Sequence, residues 1–425
     1  MNRRGFLLSS LGVGAALTGV AAWLRPSDQG APYSAYFQAL NRELQRAGPM
    51  RPVLLIDPDR LDQNIEVVKA SLARSGKQLR LVEKSLPAPG LLAYIGARVG
   101  SQRLMSFHQP FLNQDARHFP QADILLGKPL PVRSAQLFYA SHSGPFDPGR
   151  QLQWLLDTPE RLQQYLALAK GLATRMRINI ELDVGLHRGG VGDHAALEAM
   201  LALIAGNPQH LQFAGFMGYD PFVGMDLPGL LGTPQQLLAK VMALYEGYVA
   251  YTREHYPQLW HAQLTLNTAG SPSYRLHESE RLSTELAVGS ALLKPTHFDL
   301  ASLSEHVPAA YIATPVLKAG GPLQIPLLEG TSRLLSWWDA NQRASFFVYG
   351  GNWQAEPESP AGLQNSSLYG RSSNQELLTA SPTCGLGVDD HVFLRPTQSE
   401  SVLLQFGELL AVRGGKLVER WPVYA

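Results

Sequence analysis

The chain has 425 residues, 45% of them hydrophobic, and its 36 Lys and Arg nearly cancel its 35 Asp and Glu. That balance excludes a broad basic field for a nucleic-acid backbone or an anionic membrane, and the apolar content excludes general disorder, which leaves a small molecule as the partner. The single cysteine, Cys384, excludes an intrachain disulfide and reads as a small buried apolar residue.

At the N-terminus, Arg3-Arg4-Gly5-Phe6-Leu7-Leu8 leads into a Gly- and Ala-rich apolar stretch that ends at Arg25-Pro26, with small residues at Ala21-Ala22. This is the pattern of a twin-arginine export signal. It predicts residues 1–30 as a targeting segment, the twin-arginine machinery as a partner, and a periplasmic destination reached in the folded state. Left uncleaved, the stretch is nearly long enough to anchor the chain in a membrane. Because the route carries proteins already folded, often with a cofactor loaded, it also favours a bound cofactor.

From residue 45 to 304, short apolar runs alternate with helical patterns. The runs begin at residues 53 (VLLID), 79 (LRLVEK), 103 (RLMSFH), 123 (DILLG), 152 (LQWLLD), 177 (RINIELDVG), 211 (LQFAGFMGYD) and 262 (AQLTLNTAG). Between them, stretches such as 60–74, 159–173, 194–205 and 234–255 repeat apolar residues three and four apart. Eight such units predict an α/β fold, a closed parallel (β/α)8 TIM barrel whose site lies at the carboxyl ends of the strands. Residues 305–425 change texture, with short β-rich segments between Gly, Pro and Asp turns, and predict a C-terminal all-β domain. Within it, the Pro- and Ser-rich stretch 354–374 reads as a surface excursion, either a loop over a cleft or an inert insertion. No fixed-period repeat is visible.

Lys84 stands at the end of the LRLVEK run, just before a proline-punctuated turn. Alone it would be read as a lysine snorkelling to solvent. Other strand ends add Arg188, Tyr219, Asn267 with the segment TAGSPS, and Gly289-Ser290. A desolvated lysine can form a Schiff base with an aldehyde. Small residues such as Ala269, Gly270, Ser271, Gly289 and Ser290 let backbone N–H groups and hydroxyls approach a phosphate. Lysine plus phosphate cradle points to pyridoxal phosphate, although ordinary turn chemistry would also explain each small residue taken singly.

The ordered set RPVLLIDPDRLDQNI, LRLVEKS, DILLGKPL, IELDVGLHRGGV, GFMGYDPFVGMDLPG, TLNTAGSPSY, TELAVGSALLKPTHFD and DDHVFLRP…FGELLAV…WPVYA resembles the D-threonine aldolase and D-serine dehydratase group. These are relatives of the alanine racemase barrel, fold type III. The resemblance runs from about residue 50 to the end and is nearest the branch described as amino-acid deaminases or aldolases. It implies Lys84 as the lysine that holds pyridoxal 5'-phosphate through a Schiff base and then serves as base at Cα. Arg188 matches the group at the cofactor's phenolic oxygen, and Tyr219 the side chain near the pyridine ring, with a catalytic role. Asn267, Gly270, Ser271, Ser273, Gly289 and Ser290 fall in cofactor-binding segments.

Two departures stand out. The lysine segment Leu81-Val82-Glu83-Lys84-Ser85-Leu86 lacks the histidines common in the group. Where metal-dependent members carry a histidine and an aspartate or cysteine two apart after a proline, this chain has Pro396-Thr397-Gln398-Ser399-Glu400. Glutamine is a poor substitute for imidazole at a transition metal, which argues against a divalent ion. His391, His187 and Glu400 could replace the missing group, but each reads more readily as structural or solvent-facing.

The first functional reading is a pyridoxal phosphate-dependent lyase acting on β-hydroxy D-amino acids, by retro-aldol cleavage or dehydration and deamination. The second is an amino-acid racemase, with Tyr349 as the candidate second base and a homodimer implied, since racemases of this fold build the site across one. The third is an exported, non-catalytic pyridoxal phosphate-binding protein.

Overall fold

A computed structural model describes residues 25–226, 228–325, 327–366 and 369–424. The twin-arginine motif and the apolar stretch up to residue 24 lie outside the described residues. Two compact units are present, one formed by residues 54–310, 396–414 and 418–424, the other by 25–53, 311–395 and 415–417. Of the stretch 305–425, therefore, two segments near the C-terminus cluster with the barrel. Among the described residues, no helix is long and apolar enough to cross a membrane.

After a helix, Ala35–Ala47, the chain forms a strand, β1 (Val53–Ile56), and then the eight barrel strands. These are β2 (Gln78–Val82), β3 (Arg103–Ser106), β4 (Asp123–Leu126), β5 (Leu152–Leu156), β6 (Met176–Leu182), β7 (Leu211–Gly218), β8 (Thr265–Thr268) and β9 (Glu285–Val288). They pair in sequence order, all parallel, and β9 returns to β2 with Gln78 opposite Glu285 and Leu81 opposite Val288. The run at residue 53, predicted as the first barrel strand, is not in the barrel. Leu54, Leu55 and Ile56 pair with Leu409, Leu410 and Ala411 of a later strand, β16 (Glu408–Arg413). All four residues of β1 are buried, so the run carries no alternation that could distinguish it from a barrel strand. Its place is taken by the four-residue β9.

Several of the intervening helices start on polar caps followed by proline. The Asp57 side chain accepts from the N–H groups of Asp59 and Arg60, Thr158 from Arg161, and Thr233 forms a capping box with Gln236. Each cap satisfies N–H groups that the first turn leaves open, and the proline fits where no N–H is needed.

The barrel interior holds a polar network. Arg80, fully buried, reaches Glu285 Oε2 at 2.9 Å, Asp123 Oδ1 at 2.7 Å, and the carbonyls of Leu104 and Asp123 at 2.9 Å. Gln153 donates to Asp123 and Thr265, Asn179 to Gln153, and Asn267 to Glu285 Oε1 at 2.8 Å. Burial would raise the Asp123 carboxyl, but Arg80 and Arg177 beside it hold it below the usual carboxylate range. A buried guanidinium persists here because every donor finds a carboxylate or carbonyl.

The second unit is a mostly antiparallel sheet. Strand β10 (Ala310–Gly320) pairs with β11 (Ala344–Tyr349) and with β15 (His391–Pro396), and β11 pairs with β14 (Gln375–Ala380). The excursion 354–374 carries two short strands, β12 (Ala355–Ser359) and β13 (Gln364–Asn365), which pair with β15 and β14. Tyr33, Phe37, Tyr311 and Phe393 form an aromatic cluster that buries the helix Ala35–Ala47 on this unit.

Candidate functional site

At the end of β2 the chain tightens into a single 3-10 turn, Glu83–Ser85, and adjacent side chains leave it in different directions. Glu83 is buried, whereas the Lys84 side chain is two-fifths exposed. Lys84 Nζ forms an ion pair with Glu400 Oε1 at 3.0 Å and lies 5.0 Å from the centre of the Phe107 ring. The sequence points to a desolvated lysine; the structure gives one facing a carboxylate at an open mouth.

Lys84, Arg188, Tyr219, Asn267, Gly270, Ser271, Gly289 and Ser290 line one cleft, joined by Ser85, Phe107 and Glu400. The exception is Ser273. Its hydroxyl is buried, donates to Asp220 Oδ1 at 2.7 Å and accepts from the Gly270 N–H at 3.2 Å, so it supports the cleft wall from behind. Asn267 reaches the cleft as the last member of the barrel network, its amide held by Glu285.

Four serine hydroxyls converge at the inner end. Ser290 Oγ donates to Ser85 Oγ at 3.0 Å and lies 3.1 Å from Ser399 Oγ, while Ser271 Oγ accepts from the N–H groups of Gly289 and Ala291 at 3.3 and 2.9 Å. Two glycines keep the cleft open. A Cβ on Gly289 would come 2.9 Å from both Ser85 Cβ and Val82 Cβ, and one on Gly270 would come 2.5 Å from Tyr219 Cε2. Hydroxyl donors, glycines that cannot carry a side chain, and a lysine at the far end fit pyridoxal phosphate. The serines would hold the phosphoryl group, Lys84 the aldehyde carbon, and Tyr219 with Arg188 the ring.

Arg188 comes from the loop after β6, where Gly190 (φ +95) lets the chain double back against Leu182 at a separation a Cβ would close to 2.6 Å. Its guanidinium sits 4.9 Å from the centre of the Tyr219 ring. Burial raises the Tyr219 hydroxyl above its ordinary value, opposed by Arg188 and assisted by Glu400 and Asp220. Glu181 is pushed up to about 7 by burial and by Asp157.

Behind the cleft lie two buried clusters that the sequence did not reveal. Asp220, fully buried, meets His277 Nε2 at 2.6 Å, and through Ser273 the pair supports the Gly270 N–H. Burial would lower His277, yet Asp220 and Glu280 beside it push it up to about 9. On the other side, Glu83 is pushed well above the carboxylate range by burial and by Asp115. Burial pushes Asp115 itself up to about 7, and it accepts a hydrogen bond from the Tyr424 hydroxyl. Neither Glu83 oxygen has a hydrogen-bond partner among the described residues. Ser85 and Ser399, which complete the cradle, are not singled out by the sequence, since each is an ordinary serine until the fold brings it to Ser290.

The remaining candidates are elsewhere. His391 is buried in the sheet unit beside Asn41 and pushed down to about 4 by burial, while His187 is exposed and bonded to Asp183. Tyr349 ends β11 in the sheet unit, nearly half exposed. Among the described residues, no group of three or more His, Cys, Asp or Glu is arranged as a metal cage.

The family model described as alanine racemase, N-terminal domain, matches residues 56–295. Among solved structures, D-threonine aldolase from Filomicrobium marinum superposes with a TM-score of 0.69 at 15% identity, covering 94% of this chain and 98% of that one. D-threo-3-hydroxyaspartate dehydratase from Delftia sp. HT23 gives 0.66 at 16% identity, covering 88% and 97%. Alanine racemase from Bacillus anthracis gives 0.65 at 14%, also covering 88% and 97%. No curated protein matches the chain in sequence.

Proposed function

We propose, for this chain, which belongs to the alanine racemase N-terminal domain family, that it is a pyridoxal phosphate-dependent lyase acting on β-hydroxy D-amino acids. One observation carries the reading: the Lys84 amine shares a cleft with the Ser85, Ser271 and Ser290 hydroxyls and with Arg188 and Tyr219, and the buried Ser399 hydroxyl backs Ser290. The solved aldolase and dehydratase that share the fold support a lyase acting on D-amino acids.

When bound, pyridoxal phosphate supplies an electron sink for bonds broken at the α-carbon of an amino acid. The chain's own residues do the rest. The serine hydroxyls would donate to the phosphoryl oxygens, and Tyr219, packed against Gly270, would wall the side of the ring. Arg188 is the cation available to the phenolic oxygen. Lys84, at the mouth, is the residue that would hold the cofactor's aldehyde carbon, and its amine is placed to take or return a proton at the substrate's Cα.

The test is absorbance of the purified chain, hydride reduction and peptide mapping, then product analysis with D-threonine and D-serine. The expected results are a label on Lys84 that is lost in Lys84→Ala, and glycine with acetaldehyde from D-threonine, or ammonia with a keto acid. A label elsewhere refutes the assignment, the L-isomer as product makes the chain a racemase, and a loaded chain without turnover is a binding protein. We further propose export to the periplasm, tested by retention of an Arg3→Lys, Arg4→Lys variant in the cytoplasm.

A further inference from the structure

Glu400 links two cavities. The inner cleft with the serine hydroxyls and an outer one bounded by Asp157, Glu181 and Lys128 share a short stretch of wall, to which Lys84, Arg188 and Glu400 belong. A ligand that reacts at Lys84 with its remainder directed outward passes Glu400. The carboxylate lies 3.0 Å from the Lys84 amine and 3.5 Å from Ser85 Oγ, and it is about one-third exposed, so it is open to a ligand. The titratable residues lining the inner cleft are Lys84, Arg188, Tyr219 and Glu400. The Arg188 guanidinium offers no acceptor atom, and burial raises the Tyr219 hydroxyl, which favours its protonated form. With Lys84 committed to Cα, Glu400 is the remaining base.

We propose that Glu400 is a catalytic residue that accepts the proton of the substrate's β-hydroxyl during cleavage of the Cα–Cβ bond. This rests on the lyase reading above. As the proton moves to the Glu400 carboxylate, the O–H electron pair becomes the second bond of a new carbonyl at Cβ. The Cα–Cβ bond breaks, its electron pair stays with Cα, and an aldehyde departs. Lys84, in contact with Glu400, returns one proton to Cα, so the net change moves a single proton from the β-oxygen to Cα and yields glycine. No oxidant or reductant is consumed.

The experiment compares the full, cofactor-loaded chain with Glu400→Gln and Glu400→Asp in three measurements. These are the hydride-fixed label on Lys84, exchange of the α-proton of D-alanine in deuterium oxide, and acetaldehyde release from D-threonine. D-Alanine has no β-hydroxyl, so exchange reports Lys84 without the proposed step. The Lys84 label is expected to persist in Glu400→Gln, while the ratio of cleavage to exchange drops about 100-fold or more, within the range for loss of a positioned base. Glu400→Asp is expected to recover part of it. Cleavage and exchange falling together in Glu400→Gln would assign the carboxylate to Lys84 alone and overturn the proposal, as would unchanged cleavage, or ammonia in place of acetaldehyde from the unaltered chain. An unaltered chain with neither label nor turnover overturns the lyase reading itself, and this step with it.

Discussion

Replacing Asp220 by Asn tests whether a buried ion pair supports the cofactor cleft. Asp220 and His277 are both fully buried and 2.6 Å apart, and the amide would keep the shape while removing the charge. His277 is raised from 6.5 to about 9, which corresponds to about 3 kcal/mol of pH-linked stability. Its folded value lies above the unfolded one, so the contribution is complete below about pH 6.5 and is lost as pH rises through about 9. Between about pH 7.5 and about pH 9.5, about 2 kcal/mol should disappear from the native chain. The buried carboxyls Asp115 and Glu181 are also raised, to about 7, so most of their loss falls at lower pH. Lys77 and Glu280 also face His277, and they are common to both proteins. Urea unfolding of both proteins at the two pH values is the assay. Asp220→Asn is expected to be less stable by about 2 kcal/mol at pH 7.5 and nearly equal at pH 9.5. Equal losses at both pH values would show that shape, not charge, is what Asp220 contributes, and the reasoning fails.

Gly270→Ala should lower cofactor affinity at least about tenfold, since its Cβ would stand 2.5 Å from the Tyr219 ring and overpacking of this kind costs about 1–3 kcal/mol; titration of absorbance checks it. Arg80→Met should destabilise by about 3–5 kcal/mol by leaving Glu285 and Asp123 without their buried partner, read by urea unfolding. Glu83 is raised by burial and by Asp115, so its ionisation works against folding as pH rises. Glu83→Gln should therefore gain stability relative to the native chain as pH rises from about 5 to about 8, read by urea unfolding, and a difference that does not change with pH would contradict the account. A chelator should leave activity unchanged because Gln398 stands where an imidazole would be needed, and inactivation rescued by manganese would reverse that conclusion.

The barrel was legible because its helices repeat apolar residues at helical spacing and its strands are short apolar runs between turns. The first run misled because a wholly buried strand looks the same whether it pairs with β16 or closes a barrel. The place of Arg80 is not legible in the sequence either. In LRLVEK, alternation places Arg80 opposite to Leu79 and Leu81, and a charged residue on the second face is ordinarily read as solvent-facing. In a closed barrel the second face is the interior. Only the Asp123 and Glu285 carboxylates, 43 and 205 residues away, make that position tenable.

The site divides along the same line. Lys84, Arg188 and the Gly–Ser segments each lie at a strand end, where the (β/α)8 architecture itself directs side chains to one rim, so reading the strands is enough to collect them. Glu400 belongs to no barrel strand. It begins a four-residue helix, Glu400–Leu403, in a segment that returns to the barrel more than three hundred residues after Lys84. No local pattern marks that return. The departures visible in the sequence, a lysine segment without its histidines and a glutamine where a ligand histidine is expected, therefore look like losses when read locally. In three dimensions Glu83 is turned away to Asp115, and the carboxylate facing Lys84 is Glu400. A residue two positions from Gln398 thus supplies negative charge to the cleft, and the chemistry available to this chain turns on what that charge does to a substrate hydroxyl.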